Sequence, residues 1–309
     1  MLDRTDRHWR FMLRQISRQC LLYTEMITTA ALIHGDRERL LGFDPQESPL
    51  ILQLGGDDPQ QLAACARLAA AWGYAGVNLN VGCPSDRVQN GHFGACLMAE
   101  PARVGAAVAA MQAAVDLPIS VKHRIGIDDR DRYSDLHEFV RVVRAAGCRH
   151  FSVHARKAWL QGLSPKDNRT IPPLRYSDVY QLKQDFPDCW LEINGGITTW
   201  AAITEHHQHV DSVMIGRAVY DDPFLFAPAD AALLGRSLPA ATSEQVIAAM
   251  IPYIETWVAH GGRPHSITRH MVNLRNGQPG AKVWRRRLSA IGQGQADWRA
   301  IEAWVSIPA

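Results

Sequence analysis

Ile119-Ser-Val-Lys122, then Asp135-Leu-His-Glu-Phe-Val-Arg-Val-Val-Arg-Ala-Ala146, then His150-Phe-Ser-Val-His154: this stretch decides the fold. A short β-rich apolar run, an amphipathic stretch with apolar residues three or four apart, and a second short run make one βαβ unit. The unit recurs in both directions. Further strands are expected at Leu21–Thr24, Leu50–Leu54, Gly76–Asn80, Trp190–Asn194 and Asp211–Gly216, with helices at Pro59–Trp72, Pro101–Val115, Tyr176–Asp185 and Thr199–His206. Regular βα alternation implies a parallel sheet. No GxGxxG or GxxxxGK[ST] follows any strand, which removes the main support for a doubly wound open sheet. The expected fold is therefore an α/β TIM barrel, (β/α)8.

Only seven strand candidates are present. The missing one is the first, because Met1-Leu2-Asp3 leads straight into a helix-like segment from about Thr5 to Ile16. Near Ala229–Thr242 the alternation stops and only helical patterns follow. Thr242-Ser-Glu-Gln245 reads as a capping box opening a helix to about His260, with further helices around Ser266–Arg275, Ala281–Ile291 and Trp298–Val305. Residues 1–235 are thus expected to form the barrel and residues 236–309 a small helical bundle. A length of 309 residues suits that division, since a barrel takes roughly 250.

Hydrophobic residues make up 47% of the chain and charged residues 21%, as in an ordinary globular protein. The six cysteines are scattered, with no CxxC pair, which argues against a disulfide framework and a structural metal. The His206, His207, His209 cluster reads as a solvated helix end, because neighbouring helical residues point in different directions. No apolar run approaches the ~18 residues of a membrane span, and Met1 is followed by Asp3, Arg4, Asp6 and Arg7, unlike a signal peptide. A cytoplasmic location is expected, with no membrane contact. The net charge is only +2, yet residues 239–309 hold eight Lys or Arg against four acids. That asymmetry points to a polyanionic partner for the tail.

In barrels the reacting groups sit at the C-terminal ends of strands. Here those ends carry Gln53, Asn80 with Cys83 just beyond, Lys122, His154, Asn194-Gly195-Gly196 and Gly216-Arg217. Glycines after the final two strands lie where barrels commonly bind a phosphate through backbone amides; alternatively they make tight βα turns. Cys83, in a Gly-Cys-Pro turn, is a candidate for an accessible thiol, whereas the other five cysteines read as small packed residues.

Leu22-Tyr-Thr-Glu-Met26, Gln53-Leu-Gly-Gly56, Asn78-Leu-Asn-Val-Gly-Cys-Pro-Ser85, Val121-Lys-His-Arg-Ile-Gly126, Val153-His-Ala-Arg156, Gln161-Gly-Leu-Ser-Pro-Lys-Asp-Asn-Arg169, Ile193-Asn-Gly-Gly-Ile197 and Met214-Ile-Gly-Arg217 together resemble the tRNA-dihydrouridine synthase family, in the family's order. Gln161–Arg169 and Leu274–Arg285 are similar to the bacterial subfamily acting on uridines 20 and 20a of the tRNA D-loop. The resemblance implies FMN as cofactor and NADPH as reductant. It implies FMN contacts at Met1, Leu2, Gln53, Lys122, His154, Asn194, Gly195, Gly196, Gly216 and Arg217, and Cys83 as the acid. It places substrate or tRNA contacts at Asn80, Lys166, Asp167, Lys282, Arg285 and Arg286, and implies a monomer. A thiol, largely protonated near neutrality at an ordinary pKa of ~8.5, suits such an acid.

One departure stands out. Family members usually begin with a strand ending Ala-Pro-Met-x-Asp-Trp-Thr-Asp, and here Met1-Leu-Asp-Arg-Thr-Asp6 takes its place, with Arg4 where Trp is usual. Two explanations are open: a start lying upstream, which is the expectation here, or a damaged copy. Two further functions stay open beside the main one: a flavin barrel acting on a small pyrimidine, and a tRNA-binding protein without catalysis.

Overall fold

The computed structural model describes residues 1–85, 88 and 91–305. Seven strands, β1 (Leu22–Thr28), β2 (Leu50–Gly55), β3 (Gly76–Val81), β4 (Ile119–Arg124), β5 (His150–His154), β6 (Trp190–Asn194) and β7 (Ser212–Met214), pair in sequence order in one parallel sheet. The sheet curls into a half-barrel with helices around it, a TIM-barrel-like α/β fold. All seven expected strands are present, and no described residue before Leu22 is in a strand.

The helices are α1 (Arg7–Arg14), α2 (Thr29–His34), α3 (Arg37–Leu41), α4 (Pro59–Ala71), α5 (Pro101–Ala114), α6 (Tyr133–Ala145), α7 (Tyr176–Asp185), α8 (Trp200–His206), α9 (Arg217–Asp221), α10 (Ala229–Leu234), α11 (Ser243–Ala259), α12 (His265–Thr268) and α13 (Ala281–Gly292). Local chemistry sets their ends. Asp58 accepts hydrogen bonds from the Gln60 and Gln61 amides at 2.8 Å, and Pro59 follows at the first helical position, so α4 starts there. Along α6 the buried residues are Leu136, Phe139, Val140 and Val143, one stripe of a 3.6-residue period. Each such side chain contributes about 1.5–3 kcal/mol when withdrawn from water.

The chain divides into two compact units. One comprises Tyr23–Gly42 with Leu50–Ile215, and so holds nearly all of the sheet. The other comprises Met1–Leu22, Phe43–Pro49 and Gly216–Ala309. In this second unit Asp6 caps α1 through the His8 and Trp9 amides. Arg10 meets the fully buried Glu47 carboxylate at 2.6 Å, while Arg14 donates to the Glu47 carbonyl at 2.7 Å. Thr242 and Gln245 close the expected capping box on α11. Trp284, Leu288 and Ile291 form the buried stripe of α13, with the Trp284 indole donating to the Met271 carbonyl at 2.9 Å.

Two helical expectations change. The segment expected as a helix over 266–275 is a single turn, α12, followed by a 3-10 turn at Met271–Asn273, and 298–304 is a 3-10 helix. Asn273 and Asn276 spend their side-chain amides on the Tyr220 and Asp221 carbonyls, at 3.1 and 3.0 Å. Asparagine used that way favours an irregular backbone over a continuing helix. His206 also departs from the solvated helix end expected of it: it is buried and meets the Tyr180 hydroxyl at 2.7 Å, while His207 and His209 are exposed.

Candidate active site

Side chains alternate across a strand, so the register decides which ones share a face. Gln53 pairs with Asn78, Asn80 with Lys122, Lys122 with Ser152, Ser152 with Glu192, and His154 with Asn194. All of these therefore point to one side. The other side carries Leu52, Leu54, Val77, Leu79, Val121, Phe151, Val153, Leu191 and Ile193, each almost fully buried. An ordinary barrel interior is filled with branched apolar residues. This one is lined with amides, hydroxyls and charges, and a polar lining is suited to hold a polar ligand.

A chain of side-chain hydrogen bonds crosses three strands on that polar face. Ser120 accepts from Asn78 at 2.9 Å, Asn78 accepts from Gln53 at 2.9 Å, and Gln53 accepts from Asn80 at 2.9 Å. Asn80 then turns to its own loop, accepting the backbone amides of Gly82 and Cys83, both at 3.0 Å. The half-buried Cys83 is thereby held on the same side as Gln53 and Asn80, its sulfur 3.5 Å from the Ser85 hydroxyl. Its five fellow cysteines divide into three that are buried (Cys65, Cys148, Cys189) and two of intermediate exposure (Cys20, Cys96).

Further along the face, the Lys122 ammonium donates to the Asn194 side chain at 3.3 Å, and Asn194 donates onward to the Met214 carbonyl at 2.7 Å. Desolvation pulls Lys122 down to about 8, helped by the nearby Arg124 and opposed by Glu192. The glycines beyond β6 have physical reasons to be glycine. Gly195 and Gly196 take φ of +117° and +71°; a Cβ on the first would lie 2.5 Å from the His154 ring, and on the second 2.5 Å from Leu174. The Tyr176 hydroxyl fixes the Gly195 carbonyl at 2.6 Å. These residues make a tight turn that brings the backbone close to the His154 ring. The donor set of Gln53, Lys122, His154, Asn194 and the Gly195–Gly196 amides fits a flat, polar, phosphorylated cofactor.

The other expected site residues belong to a loop of the first unit and to the second unit. Lys166 is exposed on the loop after β5, and Asp167 accepts the Ser164 hydroxyl at 2.7 Å. In the second unit Met1 packs beside Gly216, its sulfur 3.3 Å from where a Cβ there would stand. Leu2 is exposed, as is Arg217 at the start of α9. Lys282, Arg285 and Arg286 are exposed on α13, and Arg285 reaches the Asn276 side chain at 3.2 Å.

Arg124 was missed as a site residue. Almost fully buried, it donates to the carbonyls of Gly82, Lys157 and Asn168, each at 2.9 Å. One guanidinium thus joins the Cys83 loop to the loop that carries Lys166. Asn168, wholly buried, folds the latter loop by bonding the Trp159 amide and carbonyl and the Leu163 carbonyl. The available signal was position: Arg124 ends the strand that carries Lys122, and an arginine pointing toward a strand's C-terminal loops is a natural clasp for carbonyls.

With that geometry in view, the whole chain can be compared with known proteins. The dihydrouridine synthase family model matches residues 1–305. The chain belongs to the dihydrouridine synthase family. A tRNA-dihydrouridine(20/20a) synthase of Synechocystis is 61% identical over 289 residues, covering 94% of this chain and 86% of that protein. Its counterparts in Shewanella oneidensis and Pseudomonas aeruginosa are 56% and 54% identical, covering 94% and 96% of this chain and 86% and 90% of theirs. Among solved structures, a 2-naphthoyl-CoA reductase complex superposes with a TM-score of 0.52 at 11% identity, over 76% of this chain and 47% of that one. That last likeness concerns the fold alone. Among the described residues no helix is long and apolar enough to cross a membrane.

Proposed function

We propose that this chain is an FMN-dependent tRNA-dihydrouridine(20/20a) synthase, which saturates the C5=C6 bond of uridine in the D-loop of tRNA. The observation that carries the reading is the amide chain running from Ser120 to the Cys83 backbone, because it sets a thiol beside a polar lining of the kind a flavin requires. The names of the relatives, matched along nearly the whole chain, supply the nucleic acid and the positions.

FMN, when bound, would supply hydride for C6 of the base, with NADPH as its reductant. Cys83 donates the proton to C5, and Asn80 holds the cysteine loop by gripping its amides. Gln53 contacts the ring rim. Lys122 puts positive charge at the edge where negative charge gathers on reduction, and Asn194 orients the ammonium. His154, Asn194, Gly195 and Gly196 would bind the remainder of the cofactor and its phosphate; the family resemblance adds Met1, Leu2, Gly216 and Arg217 as cofactor contacts. Lys166 and Asp167 meet the tRNA from the barrel, residues 1–235. Residues 236–309 grip its backbone through Lys282, Arg285 and Arg286, so that the target base can be turned out of the folded elbow. The protein works as a cytoplasmic monomer.

Nucleoside mapping of tRNA from cells with and without the gene tests the reading. Loss of dihydrouridine from positions 20 and 20a alone is expected, and an unchanged D-loop overturns it. Purified protein should be yellow. Turnover of free uracil without tRNA would move the assignment to a small-pyrimidine reductase, and a colourless protein that cannot be loaded with FMN to a tRNA binder without catalysis.

A further inference from the structure

On the polar sheet face the Glu192 carboxyl is a titratable group for which the proposed reaction has no task. Glu192 lies on β6 with Ser152 of β5 and Ser212 of β7 as its register partners. Its Oε2 accepts the Ser152 hydroxyl, and Tyr23 from β1 lies close enough for Glu192 and Ser152 both to act on its hydroxyl. On the other side of Ser152 the register puts Lys122. Four strands thus deliver a tyrosine, a lysine, a serine and a carboxyl to one cluster beside the ammonium that Asn194 holds.

We propose that Glu192 is a positioning residue that sets the net charge of the cofactor site: with its carboxyl protonated, the Lys122 charge is left uncancelled for the ligand, and with its carboxyl ionised, that charge is neutralised. This rests on the flavin reading. In water a lysine and a glutamate titrate about six units apart. Here desolvation moves Glu192 up, with Ser152 and Lys122 opposing, and moves Lys122 down to about 8. The two shifts run toward one another, and the register sets the two side chains on either side of Ser152. The other groups that face them are the Tyr23 hydroxyl, which desolvation and Glu192 both push up and so keep neutral, and Arg124 and Cys83 on the Lys122 side. A second negative charge at this place opposes any ligand that carries negative charge on its ring edge.

The test is FMN affinity measured by fluorescence from about pH 5.5 to about 9, on flavin-depleted full-length protein and its Glu192→Gln variant. Glutamine keeps a partner for Ser152 but carries no charge. The two proteins should bind alike at the acid end and diverge as pH rises, the wild type becoming weaker by about tenfold. The reduction potential of the bound flavin should separate in the same sense, with the variant higher by about 30 mV for each tenfold by which its preference for reduced over oxidised flavin exceeds that of the wild type. Ser152→Ala removes a hydroxyl that favours the carboxylate, so its affinity should begin to fall at higher pH than that of the wild type. A Glu192→Gln to wild-type ratio that stays constant across the range overturns the proposal. If Glu192→Gln fails to fold, a Ser152→Ala profile superimposable on the wild type overturns it equally. Wild-type protein that binds no FMN at any pH refutes the flavin reading itself, whereas FMN binding with coincident profiles refutes only the role of Glu192.

Discussion

The strand face around Cys83 and the outer surface of α13 both display polar residues, yet they treat them in opposite ways. On the strand face nearly every polar side chain is engaged: Gln53, Asn78 and Asn80 bond one another, Lys122 bonds Asn194, and Arg124 holds three carbonyls. On α13 the buried stripe of Trp284, Leu288 and Ile291 anchors the helix, and the opposite face projects Lys282, Arg286 and Arg287, for which no hydrogen bond or ion pair is found among the described residues. A network of satisfied groups fixes positions to fractions of an ångström, which chemistry needs. Exposed, solvated cations bind a polyanion whose exact placement varies, and cost little until it arrives. The two regions should therefore fail in different ways.

The largest separation is expected from Cys83→Ala. Loss of a positioned general acid typically costs about 10²–10⁴ in rate, so dihydrouridine formation should fall by that order while the protein stays yellow and its tRNA affinity is kept. Undiminished turnover in that variant would remove Cys83 from its role. Next comes Arg124→Met, which leaves the Gly82, Lys157 and Asn168 carbonyls without their donor. Burial pulls the guanidinium down to about 10, so it remains charged at neutral pH and its hydrogen bonds are charge-assisted. Unsatisfied buried groups cost about 1–3 kcal/mol each; chemical denaturation should show a loss of about 3 kcal/mol or more. A midpoint that does not move would mean that these loops hold their shape without the clasp.

These contrasts also explain what could be read from the chain and what could not. Strand positions were legible because β-rich apolar runs such as Phe151–Val153 and Leu191–Ile193 lie between amphipathic stretches, and local pattern is enough to place them. The capping box at Thr242 was legible for the same reason. Arg124 was not, since its work depends on two loops that are 42 and 44 residues away along the chain. His206 looked like a surface residue because its burial comes from Tyr180 on a different helix. The Asn80 grip on Cys83 was half legible: the two residues are neighbours in sequence, but the bond to Gln53 that aims Asn80 spans 27 residues.

The second unit carries its own sensitivity, to acid. His8 is buried against Tyr253 and Trp257, and desolvation, with help from His270, Arg7 and Arg269 and against the pull of Asp6, lowers it to about 4. It is neutral when folded and would bind a proton near pH 6.5 when unfolded. Stability is therefore lost as pH falls from about 6.5 to about 4, at up to ~1.4 kcal/mol per unit. Asp6 adds to this at lower pH. Burial raises its carboxyl, but the hydrogen bond and charge of His270 and the Trp9 amide outweigh that and hold it well below the usual carboxylate range. Its contribution is present above about pH 4 and is lost as the pH falls further. Denaturation midpoints measured across this range should slope downward toward acid, and His8→Phe should flatten the upper part; an equal slope in that variant would place the titration elsewhere.

The smallest effect should come from α13, and it should be visible only with tRNA present. Replacing Lys282, Arg285 and Arg286 by Ala leaves Trp284, Leu288 and Ile291 in place, so the helix keeps its buried stripe and the fold its stability. Among the described residues only Arg285 gives up an intramolecular bond, an exposed one to Asn276. If the three cations meet phosphates, tRNA affinity should drop by about tenfold at moderate salt, and the slope of log affinity against log salt should become shallower by up to about two to three, since fewer counterions are released on binding. Oxidation of NADPH without tRNA should be spared. A triple variant whose affinity and salt slope match the wild type would make α13 a solvated helix face, and the search for the tRNA grip would pass to the loop of Lys166, which Arg124 and Asn168 fasten by hydrogen bonds.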